Sequence, residues 1–474
     1  MPNQIKFGTD GWRAVIAEEF TFDNVRACAQ GLADYLKQAG LAERGLVIGY
    51  DTRFASEDFA AAAAEVAAGN GIKAIIAPEA APTPVISYAV PENKAGGAII
   101  ITASHNPHQY NGFKFKNKEG SSAPDDVTAQ IEKLVATAQE SGDIKRLPMT
   151  EGLASGLIAY QDLDTAYFKQ MAKLVDLEAL KKSGLKVAVD PMYGAGAGYL
   201  EKLLGGDRLK INEIHGVRNP LFPGLHPEPI AKNLEGLIQT VKDTKANVGL
   251  ATDGDADRMG IVDENGRFLT QLQVYALLCL YLLEIKKERG AIIKTVTTTS
   301  MTYRLGELFD VPVVETKVGF KYVAPAMTEH NAIIGGEESG GYGFRGHVLE
   351  RDGLLANLYF LELMVKTGKT PSELINYVYS KVGPHHYRRI DLKFNPAERQ
   401  NIIDRVKASN PANIAGQVVD KRDAKDGFRF FTTDGSWLLV RFSGTEPVLR
   451  VYAETESVAQ TEAFLKEGQK LAGV

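Results

Sequence analysis

The segment Thr252-Asp253-Gly254-Asp255-Ala256-Asp257-Arg258 sets three carboxylates at alternate positions behind a strand-like run, Val248 to Ala251. Carboxylates this close repel, by about 4 kcal/mol per pair at about 4 Å and an effective dielectric of about 20. A bound cation is the simplest remedy. Oxygen donors without sulfur or imidazole select a hard divalent ion, magnesium above all. An EF-hand loop is the sharpest rival, because Asp253, Asp255, Asp257 and Glu264 match its acidic positions. Arg258, however, stands where that loop requires glycine, and the flanks read as strands rather than helices. A solvated acidic turn is the plainer alternative.

Three further loops carry chemistry-bearing residues. Thr102-Ala103-Ser104-His105-Asn106-Pro107 follows the apolar run Gly97 to Ile101, at a strand end where α/β proteins place ligands. Pro107 keeps the backbone before it extended, so Ser104 and His105 belong to a constrained turn, a mount for a nucleophile or an ordinary Asn-Pro turn. No Gly-x-Ser-x-Gly elbow accompanies them, so a hydrolase triad does not follow. Lys114, in Gly112-Phe113-Lys114-Phe115, offers a cation for phosphate, a proton carrier, or a solvated strand residue. Gly335-Gly336-Glu337-Glu338-Ser339-Gly340-Gly341 follows another strand-like run; its glycines admit a ligand to the backbone, and Glu337 and Ser339 suit paired sugar hydroxyls. Arg441-Phe442-Ser443-Gly444-Thr445-Glu446-Pro447, with Arg450 beyond, combines a planar fork, hydroxyls and a possible backbone nest, which suits a phosphate dianion. Either loop could also be a plain turn.

Two glycine motifs are set aside. In Gly194-Ala195-Gly196-Ala197-Gly198, Tyr199 occupies the place of the third dinucleotide-fingerprint glycine, which favours a structural turn. Gly368-Lys369-Thr370 imitates the end of a P-loop without its first glycine.

The elements that must position these loops are legible from periodicity. Short runs rich in Val, Ile and Ala at 46–50, 74–77, 98–101, 187–189, 291–293 and 332–334 read as buried strands. Helical patterns at 23–37, 57–68 and 271–288 alternate with them, which predicts α/β domains with mixed, mostly parallel sheets. The polar stretch 141–156 reads as a linker, 219–229 as a long loop and 381–386 as another break. Beyond it, alternation over 429–433 and 437–442 around Asp434-Gly435 predicts a β-hairpin in a smaller α+β domain. The expected divisions are 1–150, 151–258, 259–375 and 376–474.

Composition narrows the function classes. The 474 residues are 44% hydrophobic and 24% charged, enough for several cores, and 54 basic against 59 acidic residues give −5. That balance offers no basic footprint for nucleic acid or anionic membrane, so small molecules are the expected partners. Cys28 and Cys279, far apart, make neither a disulfide framework nor a zinc site. The longest mainly apolar stretch, Val274 to Ile285, falls short of the roughly 18 residues a membrane span needs, and Met1 to Asp10 lacks a signal-like pattern. A cytoplasmic protein is expected.

In this order, the Ser104, Asp253, Glu337 and Arg441 loops resemble the signatures of the α-D-phosphohexomutase family, and the resemblance covers nearly the whole chain. It implies three related α/β domains and a smaller C-terminal one around a central cleft, each giving one loop. It implies that Ser104 is the phosphoserine and a member of the metal shell, and that Asp253, Asp255 and Asp257 bind Mg2+. Glu337 and Ser339 would hold the sugar; Arg441, Ser443, Gly444 and Thr445, with Arg450, would hold the phosphate that is not transferred. Arg13, in Gly8-Thr9-Asp10-Gly11-Trp12-Arg13, and His105, Lys114 and Arg258 would lie by the reacting groups. The implied reaction moves a phosphoryl group from phosphoserine to the sugar and back through a hexose bisphosphate, glucose 1,6-bisphosphate if the sugar is glucose. Gly319-Phe320-Lys321 is similar to the segment of glucose-specific members, where dual-specificity members carry His at the position of Phe320, which implies that these three residues bind the substrate and read the sugar near C2. Glu338 departs from a Gln common in glucosamine members, and Arg351-Asp352-Gly353 is similar to a Lys-Asp-Gly of glucose members. Glucose is therefore the expected sugar and mannose or glucosamine the alternatives, with a magnesium phosphatase or a nonenzymatic sugar-phosphate sensor as rival classes.

Overall fold

A computed structural model describes residues 5–442 and 448–473. The long helix Phe22–Gln38 shows why the elements form where they do. Thr21 caps it by accepting a hydrogen bond from the Asn24 N–H, and Val25, Cys28, Ala29, Leu32 and Leu36 recur at helical spacing on its buried face. Gly31 lets it lie against the helix Asp125–Ser141, since a Cβ there would sit 2.6 Å from the Val135 backbone nitrogen.

Four sheets organise the chain. The first has six strands in the order Trp12–Val15, Tyr110–Lys116, Ala98–Ile101, Leu46–Tyr50, Ala74–Ile76 and Ile158–Tyr160, with the first two pairings antiparallel and the rest parallel. The second, of five strands, runs Phe268–Leu269, Met259–Asp263, Val248–Thr252, Lys186–Asp190 and Lys210–Glu213, again antiparallel then parallel. The third, of four, runs Val313–Thr316, Ile292–Thr295, Ile334–Gly336 and Tyr342–Phe344, with only the last pair antiparallel. The C-terminal sheet of six strands is antiparallel throughout and includes the hairpin Phe428–Thr432 and Trp437–Phe442. The chain is thus three mixed α/β sheets plus an antiparallel C-terminal domain. In each of the first three, a central parallel strand is followed in sequence or in space by an antiparallel neighbour, and the candidate loop joins the two. The chain returns there directly as a strand rather than through a helix.

Sheet membership runs past two of the expected divisions. Ile158–Tyr160 completes the first sheet, and Met259–Asp263 with Phe268–Leu269 completes the second. The stretch 141–156 is more than a linker: it holds the helix Met149–Ser155, and Arg146 pairs with Glu65 at 2.6 Å. Leu147 and Met149 pack on the first core, an anchoring that polar composition conceals. The helix expected over 271–288 is α-helical from Gln271 to Leu280 and continues as a π turn over Tyr281–Ile285. The Gly368 motif is a helix junction, with Gly368 at φ +66° ending one helix and Thr370 capping the next.

One apolar core joins Val47 and Ile100 of the first sheet, Val189 and Leu250 of the second, and Leu277 and Leu358 on helices of the third. The C-terminal sheet has small cores of its own, around Phe430, Leu438 and Phe464. Among the described residues no helix is long and apolar enough to cross a membrane.

Candidate active site

Ser104 is fully buried and adopts the left-handed conformation, φ +51°. A non-glycine residue rarely holds that geometry unless its surroundings impose it. Here Arg53 does so. Its buried guanidinium donates to the carbonyl oxygens of Ser104 (2.6 Å), Asn106 (2.6 Å), Pro107 (2.9 Å) and Tyr110 (3.1 Å). Asp51 holds Arg53 at 3.1 Å and accepts the Thr102 hydroxyl at 2.6 Å, while Thr102 accepts the Ser104 N–H at 2.8 Å. The Ser104 hydroxyl is left aimed at Asp253, donating to Oδ2 at 2.8 Å.

The acidic loop is the turn between Val248–Thr252 and Met259–Asp263. Ala256 takes φ +57° there, and the Arg258 N–H donates to Asp253 Oδ1 at 3.1 Å. Gly254 presses on the serine turn, since a Cβ would lie 2.4 Å from the Ser104 carbonyl oxygen. The Gly194–Gly196 turn supports the loop from behind, with the Ala195 N–H donating to the Gly254 carbonyl at 2.9 Å. That contact explains the small residues there without a dinucleotide.

Asp253, Asp255 and Asp257 are buried, with one ligand atom of each within 4.8 Å of the others. Asp255 Oδ1 and Asp257 Oδ1 accept no hydrogen bond among the described residues. Burial, with Asp255 and Asp257 beside it, raises Asp253 well above the usual carboxylate range. Crowded anionic oxygens left without donors fit a hard divalent cation.

Cations surround the triad. Lys114 Nζ lies 2.7 Å from Asp255, 2.7 Å from Asp10 and 3.5 Å from Asp257. Burial opposes its charge, but those carboxylates outweigh it and hold Lys114 above its ordinary value. Arg258 lies 3.9 Å from Asp253 and 3.8 Å from Asp257. Arg13 donates to the Asn106 side chain at 2.8 Å, on the serine turn. Burial, reinforced by Arg258 and Arg13, pushes His105 well below its ordinary value, and its Nδ1 is 3.4 Å from the Ser104 hydroxyl.

The sugar-type loop joins this cluster through Arg351, which pairs with Asp257 (2.9 Å), Asp10 (2.5 Å) and Glu350 (3.2 Å) and approaches Glu337 at 3.8 Å. Glu337 accepts the Gly319 N–H at 3.0 Å, and Ser339 is half-buried beside it. Phe320 and Lys321 are placed differently from their neighbour Gly319. Phe320 is 2% exposed and packs with Ile293 and Val323, with Arg351 at 5.8 Å from its ring, so it underlies the cluster. Lys321 reaches away to Asp125, at 2.5 Å. Arg441 and Arg450 are directly paired across adjacent strands, with Arg441 held by Asp426 at 3.0 Å. They flank Ser443, Gly444 and Thr445, which lie outside the described residues.

Sequence reasoning missed Asp10, although it sits inside the motif that pointed to Arg13, and it missed Asp51, Arg53 and Thr83. Thr83 donates to Asp255 at 2.6 Å. The only signal for Asp51, Arg53 and Thr83 was placement just after a strand or at a helix start, which many residues share.

The chain matches the phosphoglucomutase/phosphomannomutase family along most of its length: α/β/α domain I over residues 4–142, domain II over 165–266, domain III over 272–382 and the C-terminal domain over 401–468. It is 34% identical to a phosphoglucomutase/phosphomannomutase of Thermococcus kodakarensis, covering 98% of each chain. It is 32% identical to a "probable phosphoglucosamine mutase" of Methanothermobacter thermautotrophicus, over 94% of this chain and 93% of that one. A solved structure of a "putative phosphomannomutase" from Thermus thermophilus aligns over 100% of both chains with a TM-score of 0.87 and 35% identity.

Proposed function

The chain belongs to the α-D-phosphohexomutase (phosphoglucomutase/phosphomannomutase) family of intramolecular phosphotransferases, and from that premise we propose that it is a phosphoglucomutase, interconverting glucose 1-phosphate and glucose 6-phosphate. The observation that carries the chemistry is the Ser104 hydroxyl, fixed on a strained turn 2.8 Å from Asp253 in a buried carboxylate triad. Such a hydroxyl suits reversible phosphorylation. Ser104 holds the phosphoryl group in the resting enzyme and gives it to one sugar hydroxyl. The glucose 1,6-bisphosphate so formed turns over, and its other phosphate returns to Ser104. His105, with Nδ1 3.4 Å from the Ser104 hydroxyl, stands where it can accept the proton that the sugar hydroxyl gives up. Lys114, Arg13 and Arg258 set fixed positive charge around the group in flight. Asp253, Asp255 and Asp257, with the Ser104 phosphoryl oxygen, would hold Mg2+, which when bound neutralises charge on that group. Glu337 and Ser339 grip the sugar 3- and 4-hydroxyls, while Arg441, Ser443, Gly444, Thr445 and Arg450 hold the distal phosphate.

Those two hydroxyls are oriented alike in glucose, mannose and glucosamine, so the grip does not choose among them. Phe320, Glu338 and Arg351-Asp352-Gly353 support glucose. Phe320 underlies Arg351 and follows Gly319, which bonds Glu337, so a change at Phe320 shifts the grip from beneath. A phosphoglucosamine mutase is the second reading, favoured by the 32% identical relative of that description. The test is kcat/KM of the unmodified enzyme for the three hexose 1-phosphates, primed with glucose 1,6-bisphosphate, with free phosphate followed in parallel. A preference for glucose with no phosphate release is expected. Preference for another sugar overturns the substrate, and stoichiometric phosphate release makes the protein a phosphatase. Intact mass with peptide mapping should place the phosphoryl group on Ser104, and Ser104→Ala should remain folded and lose nearly all turnover.

A further inference from the structure

Glu337 and Glu338 are consecutive, yet they serve different parts of the molecule. Glu337 turns toward Arg351 and Gly319, inside the cluster just described. Glu338 turns to the C-terminal sheet, where its Oε1 accepts the Tyr387 hydroxyl at 2.7 Å and its two oxygens take Arg389 Nη1 at 3.1 and 3.2 Å. The pair is largely buried, with Glu338 17% and Arg389 27% exposed, so water screens it little.

Strand register gives this contact its consequence. Alternate residues share a face of a sheet, and on the strand His386–Lys393 those residues are Tyr387, Arg389 and Asp391. They stand opposite Glu454, Tyr452 and Arg450, which in turn stand opposite Trp437, Leu439 and Arg441. This face meets the third domain. At one end Glu454 accepts the Ser300 N–H at 2.7 Å and hydroxyl at 2.6 Å. At the other end lie Arg441 and Arg450. Arg389 occupies the middle rung and passes its charge along the face, with Nε 2.9 Å from Asp391, which approaches Arg450 at 3.8 Å. One residue of the sugar-gripping turn is therefore bonded to the sheet that carries the distal-phosphate arginines, two residues of strand away.

Resting on the phosphohexomutase reading, we propose that Glu338, Tyr387 and Arg389 form a clasp that fixes the span between the sugar-gripping turn and the distal phosphate site. Glu338 touches no substrate in this role; it is a positioning residue. Whichever end of the sugar carries the distal phosphate, that phosphate must reach its site while the same turn grips the hydroxyls, so both captures require the same separation of turn and phosphate site. A loosened clasp weakens capture of the phosphorylated sugar without altering the chemistry at Ser104.

The test is steady-state kinetics of the full-length, magnesium-loaded, primed enzyme with whichever hexose 1-phosphate the unmodified enzyme prefers, so that a wrong sugar assignment appears in the unmodified enzyme and a wrong clasp only in the variants. Glu338→Ala should raise KM about tenfold, equivalent to about 1.4 kcal/mol, with kcat changed by less than about twofold. Glu338→Gln, which keeps the acceptor for Tyr387 and loses the charge, should fall between. Arg389→Met should resemble Glu338→Ala, the double variant should be no worse than either single one, and Arg389→Lys should recover most of the loss. A fall in kcat at unchanged KM, or additive losses in the double variant, overturns the clasp. Should Glu338→Ala fail to fold, the Glu338→Gln and Arg389→Lys pair decides by the same split.

Discussion

Four carbonyl oxygens of the serine turn converge on one guanidinium, and that convergence makes Arg53 the residue on which the geometry of Ser104 depends. Lysine carries the charge but not the planar fork. Arg53→Lys should therefore lose about 3 kcal/mol of stability, the order expected when a buried charge network loses a partner, and at least as much of its activity as of its stability. Urea unfolding beside kcat checks both, and an active variant of normal stability would remove Arg53 from this role. The carboxylate triad makes a second residue-scale prediction. Chelation should stop turnover and magnesium should restore it, because Asp253, Asp255 and Asp257 crowd charge that Lys114 and Arg351 only partly offset. Retention of full activity after exhaustive removal of divalent ions would contradict the metal assignment.

At the scale of elements, the serine and acidic loops are both turns between antiparallel neighbours, brought face to face where Gly254 meets the Ser104 carbonyl. Gly254→Ala places a methyl 2.4 Å from that oxygen and must push the two turns apart. Misplacement by about 1 Å costs on the order of a hundredfold in rate, and kcat of Gly254→Ala should fall by about that factor while stability falls by about 1–3 kcal/mol, the usual cost of overpacking. A variant with normal kcat would mean that the turns separate without consequence. These elements were largely legible beforehand: the buried runs at 46–50 and 98–101 are strands because nothing polar interrupts them. The stretch 141–156 misled because two apolar anchors, Leu147 and Met149, do the fixing in a polar context.

Across the whole molecule, one core runs through the first three domains, and the C-terminal sheet is attached to the third by an apolar cluster of Val296 with Trp437, Leu439 and Tyr452 and by buried charge beside it. Arg429 binds Glu315 at 2.6 and 2.5 Å, with Lys294 at 3.3 Å and Lys425 at 3.7 Å. Burial would raise Glu315, but Arg429 and Lys294 prevail and lower it to about 2. A carboxylate depressed on folding contributes stability that is full above its unfolded value near 4.5 and is lost as pH falls toward 2. Glu315→Gln should cost on the order of 3 kcal/mol at pH 7, and the gap from the unmodified protein should shrink steadily below about pH 4.5. Unfolding followed by Trp437, in a Trp12→Phe background, reads it out. A gap that does not narrow between pH 5 and pH 3 would show that the ion pair does not set the attachment.

The sequence by itself determined the α/β class, the antiparallel tail, the order of the four loops and the acidic triad, because hydrophobic period and motif spacing are local properties of a chain. Ser104, Asp253 and Glu337 could be singled out for the same reason. Only the tertiary structure decided that Arg53 holds the serine turn and that Asp10 and Arg351 tie the triad to the sugar-type loop. It also sent Phe320 beneath Arg351 and turned Glu338 onto another domain. Those are contacts between residues distant in sequence, such as Arg53 and Ser104, 51 positions apart, or Asp10 and Arg351, 341 apart and 2.5 Å from each other. Burial makes them strong by removing the water that would otherwise compete for each charge, and burial of a charged side chain is a property of the assembled fold that no local pattern encodes.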